Sequence, residues 1–370
     1  MKVVFTIDSL QQGGAEQSLV HLIEHFPKDI QVVVVYLYPK ETLLPALEKT
    51  GCTIISLKLK GRMKWIKGIS HLKTIIQTHN PDIMVSCLYE SNIMSRWVSK
   101  STGTPLIGTL VSDSYSNVRI SSFGWKRRIA FYFYFLLDRF TTGIPVAWIA
   151  NSQSIKKTNA EKLRIPDSRI EVVYRGRNTA EFSEWQKPEM DKGFRFAFIG
   201  RLMETKGLNE LIMAFKNIGQ TTPDVRLDIY GEGPFRSALE TLIQEHGLKS
   251  KVMLHGNVQQ AWKQLYQSHV FVFPSWYEGF SGALVEAMMV GLPIIASDIS
   301  MNLEAIEDGV TAEVHKVKDV LHLTEKMKHV MLNYDASIEL GKRARMRAFD
   351  RFELKNIAIH YSNVLRDNCK

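Results

Sequence analysis

Two glutamates, Glu278 and Glu286, stand eight positions apart with two glycines between them. The Val/Phe run at 270–273 before them predicts a buried strand, and the apolar run at 283–290 after them predicts a helix. The pair therefore lies on a strand–loop–helix unit, and open parallel sheets bind ligands where such strands end. The N–H groups that open the helix can hold an anion. This spacing fits a nucleotide sugar better than a bare phosphate.

A second loop carries two cations, Arg201 and Lys206, between a predicted strand at 195–200 and a predicted helix at 207–217. A planar guanidinium and a lysine ammonium can together neutralise a diphosphate that leaves during a reaction. A solvated surface loop is the plainer interpretation of two such cations when they are considered alone. A functional interpretation therefore depends on their position at a strand end, in the predicted domain that also contains Glu278 and Glu286.

Three further segments follow predicted strands and have weaker signals. Gly13 and Gly14 open the first helix, with Glu16 in its first turn, so this segment fits either a ligand approach or a simple turn. The segment 231–234 reads as a turn that starts a helix with a proline. Asn257 and Val258 follow another strand, and their backbone groups fit either a nucleotide base or a turn. Neither a dinucleotide-binding fingerprint nor a P-loop occurs in the chain.

Short apolar runs alternate with helical patterns throughout the 370 residues, which is the rhythm of parallel α/β sheets. The polar stretch at 179–193 interrupts this rhythm and predicts a linker between two α/β domains, at 1–180 and 181–352, with a ligand cleft between them. Strands are predicted at 3–7, 31–37, 53–57, 83–87, 106–110, 147–150, 170–174, 195–200, 226–230, 252–255, 270–273, 293–297 and 311–314. Helices are predicted at 15–26, 65–79, 91–100, 124–138, 153–163, 207–217, 234–247, 259–267, 283–290, 318–333 and 337–348.

The net charge of +9 belongs to the first half of the chain. Residues 1–180 contain 24 Lys and Arg against 13 Asp and Glu, whereas residues 181–370 contain 23 against 25. A basic half indicates a polyanionic partner, either nucleic acid or an anionic membrane surface. The three cysteines have no metal-ligand spacing and fit a reducing compartment. The N-terminus reads as a first strand with no signal-peptide pattern, and the apolar stretch 129–150 is interrupted by charges and a proline, which disfavours a membrane span.

The ordered set of these motifs resembles the retaining GT-B glycosyltransferases of family four, in particular those that build bacterial O-antigen, capsule and lipid-linked oligosaccharides. The set comprises Gly13-Gly14, Gly200-Arg201 to Lys206-Gly207, the segment 231–234, Glu278 to Glu286 with Ala287-Met288, and Gly291-Leu292-Pro293. The resemblance covers nearly the whole chain and is strongest in residues 195–315. It implies two Rossmann-like domains that face a central cleft, with a helix at 353–370 that returns to the first domain.

The resemblance also implies roles for individual residues. Arg201 and Lys206 hold the donor diphosphate, Gly14 closes over it beside Gly13, and Glu286 binds the ribose hydroxyls. Glu278 contacts the donor sugar near the reacting face, with Asn257 and Val258 beside the nucleotide and Glu16 on the acceptor side. The backbone that binds the sugar or phosphate comprises Phe280, Ser281, Gly282 and Ala283. Many relatives carry a histidine after the fifth strand that contacts the donor sugar. This chain departs from that pattern and has Asp113 at the place, so Asp113 joins Glu278, Arg201 and Lys206 as a candidate catalytic residue.

A basic cluster in the first half predicts contact with an anionic membrane. It comprises Lys58, Lys60, Arg62, Lys64, Trp65 and Lys67, followed by Lys73, with no acidic residue among them. Nucleic-acid binding by the same charges is the alternative. A second cluster at 125–128 leads into the aromatic run 129–137, for which a buried core helix is the favoured interpretation.

The sequence therefore predicts a cytoplasmic enzyme at the inner face of the plasma membrane. It transfers a hexose or N-acetylhexosamine, with retention, from a UDP-linked sugar to a glycan or lipid-linked acceptor in cell-surface polysaccharide synthesis. No metal or other cofactor and no nucleic-acid partner is expected. Two alternatives stay open: a nucleotide-sugar epimerase of the same fold, and a catalytically silent binding subunit of a membrane glycan assembly.

Overall fold

The computed structural model of the protein describes residues 1–61, 63–113, 115, 120, 124–189, 193–219 and 222–369. The chain divides into two compact units: unit 1 is Met1–Gly176 with Leu354–Lys370, and unit 2 is Arg177–Glu353. The domain boundary predicted from the sequence lies after residue 180, and the predicted returning helix begins at 353. Each unit is a parallel sheet covered by helices, so the predicted fold class of two Rossmann-like α/β domains is confirmed.

The sheets of both units are wholly parallel. The strands are β1 (Lys2–Ile7), β2 (Gln31–Tyr36), β3 (Thr53–Ser56), β4 (Ile83–Cys87), β5 (Leu106–Leu110), β6 (Ala147–Ala150) and β7 (Ile170–Val172) in unit 1, and β8 (Phe194–Ile199), β9 (Val225–Tyr230), β10 (Val252–Gly256), β11 (Val270–Phe273), β12 (Ile294–Ser297) and β13 (Glu313–His315) in unit 2. Unit 1 has the order β3-β2-β1-β4-β5-β6-β7, and unit 2 has the order β10-β9-β8-β11-β12-β13. The order reverses between β1 and β4, and again between β8 and β11. Open α/β sheets bind ligands at the carboxyl ends of the strands beside such a reversal.

The α-helices described in both units lie between these strands or follow the last one. They are α1 (Gly14–Glu24), α2 (Leu44–Glu48), α3 (Lys64–His79), α4 (Tyr89–Thr102), α5 (Trp125–Thr141), α6 (Gln153–Leu163), α7 (Leu208–Gly219), α8 (Arg236–Glu245), α9 (Gly282–Val290), α10 (Ser300–Ala305), α11 (Val320–Leu332), α12 (Tyr334–Arg351) and α13 (Leu354–Asp367). None of these helices is both long enough and apolar enough to cross a membrane.

Unit 1 buries its sheet on both faces because its strands are apolar at successive positions. Phe5 points to the side covered by α1 and α13, where its ring lies 6.2 Å from that of Tyr361. Its neighbour Val4 points to the other side and packs with Leu72 of α3 and Met94 of α4. The C-terminal helix is therefore part of the core of unit 1.

The structure differs from the predicted elements where short helices or tertiary contacts override the local pattern. The predicted helix at 259–267 is a 3-10 helix at Ala261–Gln267, and α2 and α10 were not predicted. The predicted linker is packed against unit 2, because Phe182 and Trp185 are buried and the Phe182 ring lies 4.4 Å from that of Trp262. Residues 190–192 of that stretch lie outside the described residues.

The interpretation of 129–137 as a buried core helix is wrong. Helix α5 exposes an apolar stripe whose members recur every three or four residues: Trp125, Ile129, Tyr132, Phe133, Leu136 and Phe140. Phe133 is 66% exposed and Phe140 is 82% exposed. The opposite side of the last turn is anchored, because Asp138 Oδ1 lies 2.7 Å from Nη1 of the buried Arg96 on α4. Composition alone does not separate a core stripe from a surface stripe.

Candidate active site

Two loops of unit 2 meet at the carboxyl edge of its sheet, where the strand order reverses. One follows β8 and the other follows β11, and Trp276 N donates a hydrogen bond to Thr205 O at 2.9 Å between them. Gly207 has a φ of +69°, and a Cβ at this position would overlap the Pro274 carbonyl, so the close approach requires glycine. Arg201 and Lys206 lie on the first of these loops, and Glu278 lies on the second.

Lys206 and Glu278 form an ion pair across these loops, between Nζ and Oε1. Their side chains are only 19% and 11% exposed, so water screens the pair weakly. The pair fixes the ammonium at the strand ends and leaves the carboxylate partly accessible. The structure thus brings together two of the residues that were predicted to act on the donor.

Helix α9 begins at Gly282, directly after this loop. Its N-cap is Ser281, whose Oγ accepts a hydrogen bond from Leu284 N at 3.4 Å. Phe280 is buried and its ring lies 5.2 Å from that of Phe352. This packing sets the direction of a nine-residue helix whose N-terminal amides, including Ala283, carry the positive end of its dipole.

Glu286 is held by a cation that the sequence analysis did not identify. Arg177 Nε lies 2.7 Å from Glu286 Oε1, and the two side chains are 10% and 17% exposed. A carboxylate in an apolar setting needs a polar partner, and the sequence analysis expected ribose hydroxyls to be that partner. The available signal was the Arg-Gly-Arg triplet at 175–177, which follows the last strand of unit 1.

The remaining predicted residues of unit 2 follow other strands of the same sheet. Arg201 is exposed, and its loop is held by a hydrogen bond of 2.9 Å from Leu202 N to Glu232 O. The segment 231–234 is thus a structural turn, as interpreted from the sequence. Asn257 is exposed and Val258 is half-buried after β10, so their place beside the nucleotide stays a prediction.

In unit 1 the two glycines of the first loop accommodate side chains of the protein itself. A Cβ at Gly13 would overlap the Glu16 carboxylate, and a Cβ at Gly14 would lie 2.9 Å from Arg175 Nη1. Glu16 is buried, and burial raises the pKa of its carboxyl group. The neighbouring Asp8 accepts a hydrogen bond from Ser91 N at 2.7 Å, and burial raises the pKa of Asp8 to about 6. This strand end therefore concentrates weakly hydrated carboxyl groups.

Asp113 lies in the loop after β5, also in unit 1. Its Oδ1 is 3.6 Å from Lys162 Nζ, and the same ammonium donates to Tyr115 O at 2.6 Å. Asp113 is thus tethered to α6, and its role in catalysis stays a prediction. Within the described ranges, no group of three or more His, Cys, Asp or Glu side chains could hold a metal ion.

Known proteins share this architecture. Residues 12–181 match the model of Glycosyltransferase Family 4, and residues 179–347 match the model of glycosyl transferases group 1. An uncharacterized glycosyltransferase of Methanocaldococcus jannaschii is 28% identical over 231 residues, which cover 59% of this chain and 59% of the relative. The capsular polysaccharide biosynthesis glycosyltransferase CapM of Staphylococcus aureus is 22% identical over 277 residues, with 68% and 72% coverage. The structure of Anabaena Alr3699/HepE with UDP-glucose has a TM-score of 0.85 at 18% identity, over 99% of this chain and 100% of that chain.

The two family matches adjoin one another and together cover nearly the whole chain. The chain therefore has the fold of the GT-B glycosyltransferases, with a Family 4 domain in its first half and a group 1 domain in its second half. It spans about three-fifths of the archaeal relative's length, 59%.

The pair at Glu286 predicts how nucleotide binding responds to loss of its charge. Glu286→Gln removes charge-assisted hydrogen bonds of about 1.5–3 kcal/mol each, so we expect UDP affinity to fall roughly ten- to a hundredfold. Calorimetric titration with UDP measures this change, with thermal unfolding as a check on the fold. The exposed Glu245→Gln of α8 is the matched control. Unchanged UDP affinity in Glu286→Gln would contradict the assignment of Glu286 to the nucleotide.

Proposed function

We propose that the protein is a glycosyltransferase that moves a sugar from UDP to a glycan or lipid-linked acceptor, with retention at the anomeric carbon, in cell-surface polysaccharide synthesis. One observation carries this proposal. At the carboxyl edge of unit 2, two carboxylates spaced by eight residues are each paired with one cation, beside the N-terminus of α9. A nucleotide sugar presents complementary groups: ribose and sugar hydroxyls for the carboxylates, and a diphosphate for cations and helix amides.

The chemistry follows from where charge develops in the reaction. As the glycosidic bond breaks, negative charge accumulates on the departing diphosphate, and donors that are already in position stabilise it. Lys206, Arg201 and the first amides of α9 supply those donors. Glu278 holds Lys206 in place and contacts the donor sugar, while Glu286 binds the ribose. The acceptor hydroxyl then attacks the anomeric carbon on the face that the diphosphate leaves and gives its proton to the departing diphosphate. No covalent nucleophile is assigned.

The finer parts of the proposal rest on different observations. UDP is supported by the Anabaena structure, which has the same fold and is a complex with UDP-glucose. The polysaccharide role is supported by the name of the staphylococcal relative. Acceptor binding is assigned to unit 1, with Glu16 on the acceptor side, and Asp113 is proposed as a catalytic residue of the same unit. The transferred sugar is a hexose or an N-acetylhexosamine. Metal independence is proposed because Arg201 and Lys206 can neutralise the charge of the diphosphate in place of a divalent ion.

The identity of the donor and the need for metal can be tested together. We expect UDP and UDP-sugars to raise the melting temperature, and GDP- and ADP-sugars not to do so. With the stabilising UDP-sugar and a glycan acceptor, transfer should persist in excess EDTA. Loss of transfer in EDTA with rescue by Mn²⁺ would contradict metal independence. Turnover without an acceptor, giving UDP and an epimerised free sugar, would favour the epimerase, and binding without turnover would favour the silent subunit.

Lys206 should act mainly on the transition state. Lys206→Ala removes a cation from the leaving group, so we expect kcat to fall on the order of 10²- to 10³-fold while the donor KM changes much less. Steady-state UDP release measures both constants. Lys249→Ala, an exposed lysine of unit 2, is the control for loss of one positive charge. A large rise in KM with unchanged kcat would make Lys206 a residue of ground-state binding only.

We further propose that unit 1 binds an anionic membrane from the cytoplasmic side, through the apolar stripe of α5 and the basic cluster before and within α3. Lys58, Lys60 and Lys67 are exposed, and Ile66 of the same segment is 66% exposed. The stripe of α5 is aromatic and has Arg127, Arg128 and Arg139 on the same helix. Exposed aromatic side chains with flanking cations match the interface of an anionic bilayer.

Two residues of the predicted membrane-facing set, Lys64 and Trp65, make contacts within unit 1. Lys64 is paired with Glu90, with Nζ 3.0 Å from Oε2, and also donates to the Tyr38 hydroxyl at 2.8 Å. Trp65 is half-buried and packs against the core of unit 1. Both side chains are therefore less accessible than those of Lys58, Lys60 and Lys67, and Arg62 lies outside the described residues.

Liposome co-sedimentation tests the membrane proposal. Binding should rise with the fraction of anionic lipid and fall with salt, since each cation near the surface contributes about 1 kcal/mol. A triple change of Lys58, Lys60 and Lys67 to Ser, or a double change of Phe133 and Phe140 to Ser, should each reduce binding. The matched control is Leu332→Ser, which removes a side chain of unit 2 that is 85% exposed. Unchanged liposome binding by the Phe133 and Phe140 variant would contradict the role of the stripe, and a gel shift of nucleic acid without liposome binding would reassign the cations.

A further inference from the structure

Arg177 and Glu286 form an enclosed ion pair at the candidate active site. The guanidinium engages Oε1 through Nε at 2.7 Å. The two side chains are 10% and 17% exposed, so part of the carboxylate stays accessible. A carboxylate held by a buried guanidinium has a restricted orientation, so it meets an incoming ligand in a defined direction.

Gly282 provides the space that Arg177 occupies. A Cβ at this position would overlap Arg177 Nη2, and the guanidinium carbon would lie 3.2 Å from it. Arg177 therefore reaches Glu286 by passing directly over the first residue of α9. The contact between Arg177 and Glu286 thus requires a residue without a side chain at 282, although positions 177 and 282 are far apart in the sequence.

The backbone around Arg177 is held by hydrogen bonds to the end of α12. Arg177 N donates to Phe352 O at 2.9 Å, and Thr179 N donates to Glu353 Oε2 at 3.1 Å. Asn178 Oδ1 accepts a hydrogen bond from Ala180 N at 3.1 Å. These contacts hold residues 177–180 in place and so define the position from which the Arg177 side chain reaches Glu286.

We propose that Arg177 is a positioning residue that orients Glu286 toward the ribose hydroxyls of the nucleotide, with Gly282 as the position that admits it. The inference rests on the proposed function, since it takes the nucleotide of a nucleotide sugar as the ligand of Glu286. A lysine cannot replace this arrangement fully, because an ammonium lacks the planar fork that engages Glu286 and spans Gly282 at once. With Glu286 oriented in this way, the site should select a ribonucleoside diphosphate over the corresponding 2′-deoxyribonucleoside diphosphate.

The test compares the dissociation constants of UDP and 2′-deoxy-UDP by calorimetry, with 3′-deoxy-UDP as a second probe. The wild-type protein should prefer UDP roughly tenfold or more, the value of one hydrogen bond to a charged group. Arg177→Ala should reduce this ratio toward one, whereas a purely structural role would weaken all three ligands by the same factor. Arg177→Lys should restore part of the ratio. Arg226→Ala, an exposed arginine of β9, is the control and should keep the full ratio.

Gly282→Ala tests the space-making role with Arg177 still in the chain. The added methyl group should displace the guanidinium and lower the UDP to 2′-deoxy-UDP ratio. Combined with Arg177→Ala it should have no further effect on the ratio, since coupled positions are not additive. Full additivity would show that Gly282 acts without Arg177 and would overturn that part of the inference.

The remaining outcomes separate the inference from the proposed function. If the wild-type protein binds no UDP, or binds UDP and 2′-deoxy-UDP equally, the assignment of Glu286 to the ribose is contradicted, and the proposed function loses its support there. If the wild-type protein discriminates and Arg177→Ala discriminates equally well, only the role of Arg177 is overturned. Tighter UDP binding by Arg177→Ala would also overturn it, because Arg177 would then compete with the ribose for Glu286.

Discussion

The candidate site of unit 2 depends on the matching of charge at the point where the strand order of its sheet reverses. Burial of a carboxylate is unfavourable unless it is paired, and the structure pairs each of the two glutamates with a cation from a different segment. Lys206 comes from the loop after β8, and Arg177 comes from the first residue of the unit. The loops, the turn at 231–234 and the glycines at 207 and 282 are all arranged so that these two contacts can form.

Much of this arrangement could be predicted from the sequence because it is encoded locally. The strand runs are continuous and apolar, since parallel sheets are covered on both faces, and their ends locate the loops that carry Arg201, Lys206 and Glu278. Arg177 could not be found in the same way. Its partner lies 109 positions away, and no periodicity or local motif links an arginine after one sheet to a glutamate in the helix of another.

At the surface of unit 1, a local pattern is visible in the sequence, but it does not show which face of the helix is exposed. The apolar stripe of α5 has the spacing of a core helix, and the sequence does not state which side of the helix faces the sheet. The buried Arg96–Asp138 pair and the Tyr89–Tyr134 ring contact fix that orientation, and both depend on α4 lying beneath. Likewise, Lys64 looks like one member of a basic run until Glu90, from another helix, is brought beside it. Tertiary pairing therefore decides which charges face solvent.

The central claim is that unit 2 binds the nucleotide of a sugar donor through its paired carboxylates. The most direct measurement is a crystal structure of the protein with the UDP-sugar that stabilises it most. The account predicts ribose hydroxyls within hydrogen-bonding distance of Glu286, with Arg177 still in contact with that carboxylate, and the diphosphate between Lys206 and the N-terminus of α9. A uridine bound elsewhere, or a ribose that makes no contact with Glu286, would contradict it.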